Sequence, residues 1–316
     1  MTETPEGAGP PPEPQQPPDA LWYDTGHGGV RYRPIPRDKS RPLCHALSID
    51  LEDWQQSVFD QSLPVSGRFV ASTYRLLEVL DYFGVRATFF VLALAARKAP
   101  DLVRRLHAAG HEIQTHGYNH TQATQQSPDE FRRDVLQAKA AVEDLIGAEV
   151  YGFRAPRFSV VRTNLWVLDV LAECGFRYDS SIFPMHIRGY GIDGWPRYEH
   201  HLRTPAGAEL IEVPIATLEL FGRRIPMGGG GYFRLFPYAV IRQGVRWLHR
   251  RGMPAVLYFH PYEFDPDAFT YLDLTVPLKT RLHQGLGRAS ILAKLRELLD
   301  EFPFAPVRDL LPGDGG

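Results

Sequence analysis

From residue 43 onward, short apolar runs alternate with stretches whose apolar residues recur at helical spacing. LCHALSID (43–50) reads as a buried strand, and FVASTYRLLEVLDYF (69–83) as a helix ended by Gly84. ATFFVL (87–92) is strand-like, rich in Phe and Val. PDLVRRLHAAG (100–110) opens on Pro and closes on Gly, the punctuation of a helix, and HEIQTH (111–116) is the next strand. In residues 127–147, Ser127 and Glu130 form a capping box, Pro128 takes the first helical position, and Gly147 stops the helix. Phe131, Val135, Ala138, Val142 and Leu145 draw one apolar stripe along it. YGFRAP, YDSSIF, LIEVPI and AVLYFHP supply further strands, with helices predicted near 163–174, 237–251 and 289–302.

Repeated strand–helix units predict a parallel sheet with helical crossovers. Roughly seven such units, with no GxGxxG element, predict an α/β barrel rather than a dinucleotide-binding sheet. Residues 184–236 lack the alternation and read as inserted loops with a hairpin; 287–310 form a closing helix and tail. Residues 1–42, rich in Pro, Glu and Gln at their start, read as a disordered tail, leaving 43–310 as one folded domain.

Composition narrows the class. The chain has 316 residues, 44% of them hydrophobic and 23% charged, as an ordinary globular protein does. A formal charge of -2 leaves no electrostatic footprint for nucleic acid. Cys44 and Cys174 stand far apart with no CxxC spacing, so they read as buried thiols. The first residues lack the basic start and apolar core of a secretory signal, and the longest apolar run, ATFFVLALAA (87–96), is too short for a membrane span. The expectation is a cytoplasmic protein, peripheral at most to an export complex; composition says nothing of its oligomeric state.

Candidate chemistry lies at strand ends. Two histidine pairs have i,i+4 spacing, His107/His111 and His116/His120. In an α/β barrel, functional residues sit at the C-terminal ends of strands. His107 lies within a helix and His111 precedes its strand, whereas His116 and His120 end a strand and follow it. The same rule selects Asp50, Glu52, Asp53, Arg154, Asp179 and His260. Two histidines and a carboxylate satisfy a catalytic zinc or similar divalent ion, which activates water and polarises a carbonyl. A second carboxylate can act as base, a further His as acid, and an Arg can hold the base ionised. The set describes metal-assisted hydrolysis of an amide or ester.

The ordered stretches DLEDW (50–54), THGYNH (115–120), FRAPRFS (153–159), YDSS (178–181), GGGYFR (229–234) and HPYEFD (260–265) resemble the motifs of the polysaccharide deacetylases. This is carbohydrate esterase family 4, with its NodB homology domain, and the likeness is to the branch found at exosortase-type exopolysaccharide loci. The resemblance implies a distorted (β/α)7 barrel of the NodB-homology type and hydrolytic N-deacetylation of an acetylated amino sugar in a polysaccharide or oligosaccharide. It implies a divalent metal, zinc first, held by His116, His120 and a carboxylate. Asp50 matches the base, Arg154 its tether, the backbone N–H of Arg157 the oxyanion donor, and His260 the acid with Asp179 tuning it. The family's first motif carries two adjacent carboxylates; here Leu51 and Glu52 come between Asp50 and Asp53. Strand alternation favours Glu52 as third ligand; a strand that has already turned favours the shorter Asp53, and Asp53 is preferred. Trp54 and Tyr232 are candidate sugar-stacking surfaces. Two rival readings are a same-fold amidohydrolase on a small amide, allantoinase-like and metal-independent, and a catalytically silent carbohydrate-binding protein.

Overall fold

The computed structural model describes residues 21–270 and 275–312. In chain order its strands are β1 (Tyr23–Asp24), β2 (Arg31–Pro34), β3 (His45–Leu51), β4 (Thr88–Val91), β5 (Glu112–Thr115), β6 (Gly152–Phe153), β7 (Tyr178–Asp179), β8 (His200–Arg203), β9 (Glu209–Glu212), β10 (Thr217–Leu220), β11 (Arg223–Pro226), β12 (Val256–Phe259) and β13 (Phe304–Ala305). The helices are α1 (Arg68–Tyr82), α2 (Ala93–Lys98), α3 (Pro100–Ala108), α4 (Pro128–Ile146), α5 (Trp166–Glu173), α6 (Gly230–Leu235), α7 (Tyr238–Arg250), α8 (Leu278–Gly285) and α9 (Arg288–Glu301).

Seven strands run parallel in the order β9-β7-β6-β5-β4-β3-β12, and helices link successive members of the run except between β7 and β9. Beyond β12, backbone bonds from Ala216 N–H to Val256 O (3.0 Å) and from Tyr258 N–H to Gly228 O (2.7 Å) tie it to the chain that follows β9. The result is a distorted (β/α)7 barrel.

Alternation along the strands sorts its contents. In β3, Leu47, Ile49 and Leu51 join the large apolar core beneath the helices, while Ala46 packs in the inner cluster with Phe90, Tyr178 and Val256. Asp50 has the parity of Ala46 and points inward. The end opposite the site is plugged by buried Glu112, which accepts from Gln114 Nε2 (2.9 Å), Tyr178 Oη (2.9 Å) and the Arg308 N–H (3.0 Å).

Two boundaries differ from the sequence reading. Of the expected tail, residues 1–20 lie outside the described residues, but β1 and β2 extend the sheet, β2 pairing antiparallel with β8 from Arg31↔Arg203 to Pro34↔His200. Tyr32 alternates with arginines there, and its ring meets His200 edge-on, a cue too short to stand out beside a Pro-rich stretch. The region 184–236 holds two hairpins, β8–β9 and β10–β11, and β9 is itself one of the parallel strands.

Gly152 shows how tight the interior is. A Cβ there would lie 2.2 Å from Cζ of the buried Tyr178 ring. Gly152→Ala is expected to cost about 1–3 kcal/mol through overpacking. Urea denaturation should show a lowered midpoint, and an unchanged midpoint would mean that the ring can yield.

Candidate active site

The site forms where the parallel strands end. The carbonyl of Leu51 still accepts from Leu92 N–H (3.2 Å), so the extended backbone of β3 carries its alternation one step further and Glu52 faces the same interior as Asp50. His116 leaves β5 with its N–H bonded to Val91 O (2.9 Å). Gly117 then turns with φ of 82°, a left-handed value that glycine adopts without strain. The turn is pinned by Asp134 of α4, which accepts the Tyr118 N–H (3.1 Å), and by Gln56 and Gln61, which donate to the carbonyls of Asn119 (3.0 Å) and His120 (2.6 Å). His120, itself left-handed at φ 68°, folds back toward His116.

Glu52 Oε2 stands 2.8 Å from His120 Nε2 and 3.5 Å from His116 Nε2, with all three side chains buried. Among the described residues this is the one group of His, Cys, Asp or Glu whose ligand atoms all lie within 4.8 Å of one another. His116 Nδ1 donates to Arg154 O (2.8 Å), which turns its Nε2 lone pair toward the group. Burial pushes the Glu52 carboxyl up, but His120, His116 and His260 beside it outweigh burial and hold it well below its ordinary value. An ionised carboxylate facing two imidazole nitrogens, in a cluster with no thiolate, fits a divalent cation.

Asp53, preferred from the sequence, is not in this group. Its carboxylate accepts from Ser66 Oγ (2.5 Å) and Ser66 N–H (3.0 Å), where it anchors the chain entering α1. The physical reason is parity: the turn begins only at Trp54, so residue 53 points away from the interior. Trp54 is buried as well, stacked on Phe59 at 5.4 Å and edge-on to Phe269, so it offers no face to a sugar.

Asp50 lies beside the cluster, and Arg154 Nη1 donates to its Oδ1 at 2.7 Å. The guanidinium is fully buried, 4.1 Å from the Phe90 ring centroid, and also donates to Ser48 Oγ (2.9 Å), Ser180 Oγ (2.9 Å) and Ser180 O (3.2 Å). His260 follows β12 and brings Nε2 to 3.9 Å from Asp50 Oδ2 and 3.8 Å from Glu52 Oε1. Burial lowers the affinity of its ring for a proton, but Glu263, Glu52 and Asp50 overcome that and raise its pKa to about 9.

Asp179 does not tune His260. It accepts from Ser181 Oγ and faces Glu212 at the end of β9. Burial first, then the charge of Asp179, raises the Glu212 carboxyl well above its usual value, and burial raises Asp179 to about 6 against the opposing hydrogen bonds of Ser181 and Glu212. The carboxylate on His260 Nδ1 is Glu263 (3.3 Å), three residues on in the same turn. An HxxE spacing after a strand was a usable signal for it.

Asp50, Glu52, His116, His120 and His260 all face a pocket of about 390 Å³. Phe158, Tyr190, Tyr258 and Tyr262 wall it, and Arg157 and Arg188 flank its mouth. Tyr232 is not a wall residue; it stands behind Tyr190, to which it is hydrogen bonded. The loop 186–194 that brings Arg188 and Tyr190 carries no periodic pattern, and no sequence signal marked it. Arg157 and Phe158 are both left-handed, with φ of 55° and 51°, strain of the kind found at functional turns. The decoy His111 is structural: its Nδ1 accepts the Ala87 N–H (3.1 Å), and burial lowers its pKa to about 4.

Residues 57–178 match the family profile described as polysaccharide deacetylase. That stretch of the chain is similar to the polysaccharide deacetylase family. Residues 180–312 match a second profile, a domain of unknown function (DUF3473). The peptidoglycan-N-acetylglucosamine deacetylase of Bacillus cereus is 30% identical over 93 residues, 29% of this chain and 34% of that protein. The chain thus spans about a third of that relative's length. A Mycobacterium smegmatis structure of the polysaccharide deacetylase class superposes with a TM-score of 0.54 at 23% identity, over 85% of this chain and 88% of that one. The Puue allantoinase gives 0.56 at 19% identity, over 88% and 96%. Both share the fold. His116, His120 and Arg154 lie in the deacetylase match, His260 and Glu263 in the second, and Asp50 and Glu52 precede both.

Glu52→Ala or His120→Ala is expected to weaken zinc binding by at least about 100-fold, as loss of one of three protein ligands should. Asp53→Ala should bind zinc like the unaltered protein. Isothermal titration with the purified variants checks this; the reverse ranking would return the ligand role to Asp53.

Proposed function

We propose that this protein is a metal-dependent hydrolase that removes the acetyl group from an N-acetylated amino sugar in a polysaccharide, an oligosaccharide or their precursor. The observation that carries the reading is the convergence of Glu52, His116 and His120 beside an arginine-held Asp50 on one pocket. Glu52, His116 and His120 would hold the ion, with zinc the first candidate for a two-His, one-carboxylate set. A divalent cation bound there supplies Lewis acidity, making water more acidic and the acetamide carbonyl more electrophilic.

The chain's own groups divide the remaining work. Asp50 takes a proton from the attacking water as its oxygen bonds to the acetamide carbon. Arg154 holds that carboxylate turned toward the pocket, and its other donors are spent on Ser48 and Ser180, so it has one orientation. The N–H of Arg157, on its strained turn, donates to the oxygen that becomes negative as the carbon goes tetrahedral. His260 gives the departing nitrogen a proton from Nε2 as the C–N bond breaks, so acetate and a free amino sugar leave. Tyr190 offers an aromatic face for the apolar face of a sugar ring.

The name of the Bacillus cereus relative supports an N-acetylglucosamine unit. A metal-free amidohydrolase would leave buried Glu52 between two imidazoles without a task.

Acetate release from N-acetylated glucosamine oligomers is the direct test. Activity is expected, with chelator abolishing it and added zinc restoring it. Asp50→Asn should lower kcat by roughly 10²–10⁴-fold, the usual worth of a general base, while zinc content stays unchanged. Undiminished acetate release by that variant would defeat the mechanism.

A further inference from the structure

The glycine run 228–231, followed by Tyr232, Phe233 and Arg234, is a motif the proposed reaction does not use. Three of its four glycines are required by close packing. A Cβ on Gly228 would meet Ile215 Cγ2 at 2.4 Å and the Val256 carbonyl oxygen at 2.5 Å; one on Gly229 would meet Tyr258 Oη at 2.9 Å. One on Gly230 would lie 1.9 Å from Glu263 Oε2. Gly231 has nothing within 4 Å. The run therefore lays the start of α6 against β12 and against the turn that carries Glu263.

Glu263 is buried, and its Oε2 accepts both the backbone N–H of His260 (3.0 Å) and His260 Nδ1 (3.3 Å). Its Oε1 is 3.8 Å from Nε of Arg234, also buried. Arg234 is fixed in turn: Nη1 donates to Leu286 O (2.6 Å) and Nη2 to His283 O (2.9 Å). The guanidinium has one place to be, and it leaves the carboxylate one face to offer.

We infer that Glu263, seated in the space left by Gly230 and held by Arg234, is the positioning residue that orients His260 and decides which ring nitrogen faces the pocket. A proton on Nδ1 is committed to Glu263, so Nε2 is the atom presented toward the reacting groups, and the ring cannot flip without breaking that hydrogen bond. Glu263 touches neither substrate nor reacting atoms. The inference rests on the acid role proposed for His260, and it assigns to the second half of the chain the support of that acid.

The test compares Glu263→Leu, Glu263→Gln, Gly230→Ala and Gly231→Ala in the full chain loaded with zinc. Nitrogen-15 imidazole spectra, taken at a pH above the ring's pKa of about 9 so that it is neutral and with the His260 signals identified from His260→Asn, report which nitrogen carries the proton. Steady-state acetate release reports kcat and KM. Glu263→Leu should lose the Nδ1 proton signature and about 10–100-fold in kcat with little change in KM, the usual cost of a lost orienting partner. Glu263→Gln, whose amide oxygen can still accept, should keep the signature and fall between. Gly230→Ala should behave like Glu263→Leu, because its methyl takes the carboxylate's place, and Gly231→Ala like the unaltered protein. A wild-type signature and kcat in both Glu263→Leu and Gly230→Ala would overturn the inference. If Glu263→Leu does not fold, Gly230→Ala decides alone. If the unaltered protein releases no acetate, the proposed reaction has failed, and the spectra still decide whether Glu263 orients the ring.

Discussion

The structure is organised around one buried cation. Arg154 sits inside the barrel with no access to water, a placement that costs several kcal/mol unless its charge and its N–H groups are met. They are met by Asp50 of β3, by Ser48 of β3, and by Ser180 at the end of β7, with Phe90 of β4 close to the guanidinium. The two serines pass the connection on: Ser48 Oγ donates to Leu257 O of β12 (2.9 Å) and Ser180 Oγ to Val213 O beyond β9 (2.7 Å). One side chain thus links strands on opposite sides of the interior, and removing either charge of the pair would strand the other. The same arrangement that makes the barrel interior tolerable for a guanidinium aims Asp50 at the pocket. Stability and the geometry of the site are one constraint here.

That constraint crosses the boundary between the two profile matches. Arg154 belongs to the stretch that resembles known deacetylases, whereas Ser180, Val213 and Leu257 belong to the domain of unknown function. β9 and β12 are two of the seven parallel strands. The second match is therefore the remainder of the same barrel, together with its added hairpins and closing helices, and it delivers His260 and the turn behind it.

Much of this was legible in the sequence, for physical reasons that can be named. Helices with caps and stripes, such as α4 with Ser127, Glu130 and Gly147, read correctly because local signals and burial agree. His116 and His120 separated from His107 and His111 because barrel ends are chemically distinct. What failed was decided by contacts distant in sequence. Whether residue 52 or 53 faces inward depends on one more backbone bond, Leu92 N–H to Leu51 O, contributed by the neighbouring strand. Trp54 read as a sugar platform because exposure cannot be seen in a motif; Phe59 and Phe269 cover it. Asp179 was expected beside His260, yet the end of β9 places Glu212 against it first. The pocket wall from 186–194 is irregular backbone, whose conformation rests on what surrounds it.

The alternation of β3 has a mechanical consequence. Asp50 and Glu52 are two steps apart on one strand, roughly 6.6 Å along it, a spacing set by covalent geometry and pleat. No sliding of strands past one another can change it. His260 is carried by the neighbouring strand, in register with Phe259 opposite Ile49. Shear between β12 and β3 would therefore move His260 relative to Asp50 and Glu52, which travel as a rigid pair. Half of the geometry is locked into the backbone, and the other half is adjustable.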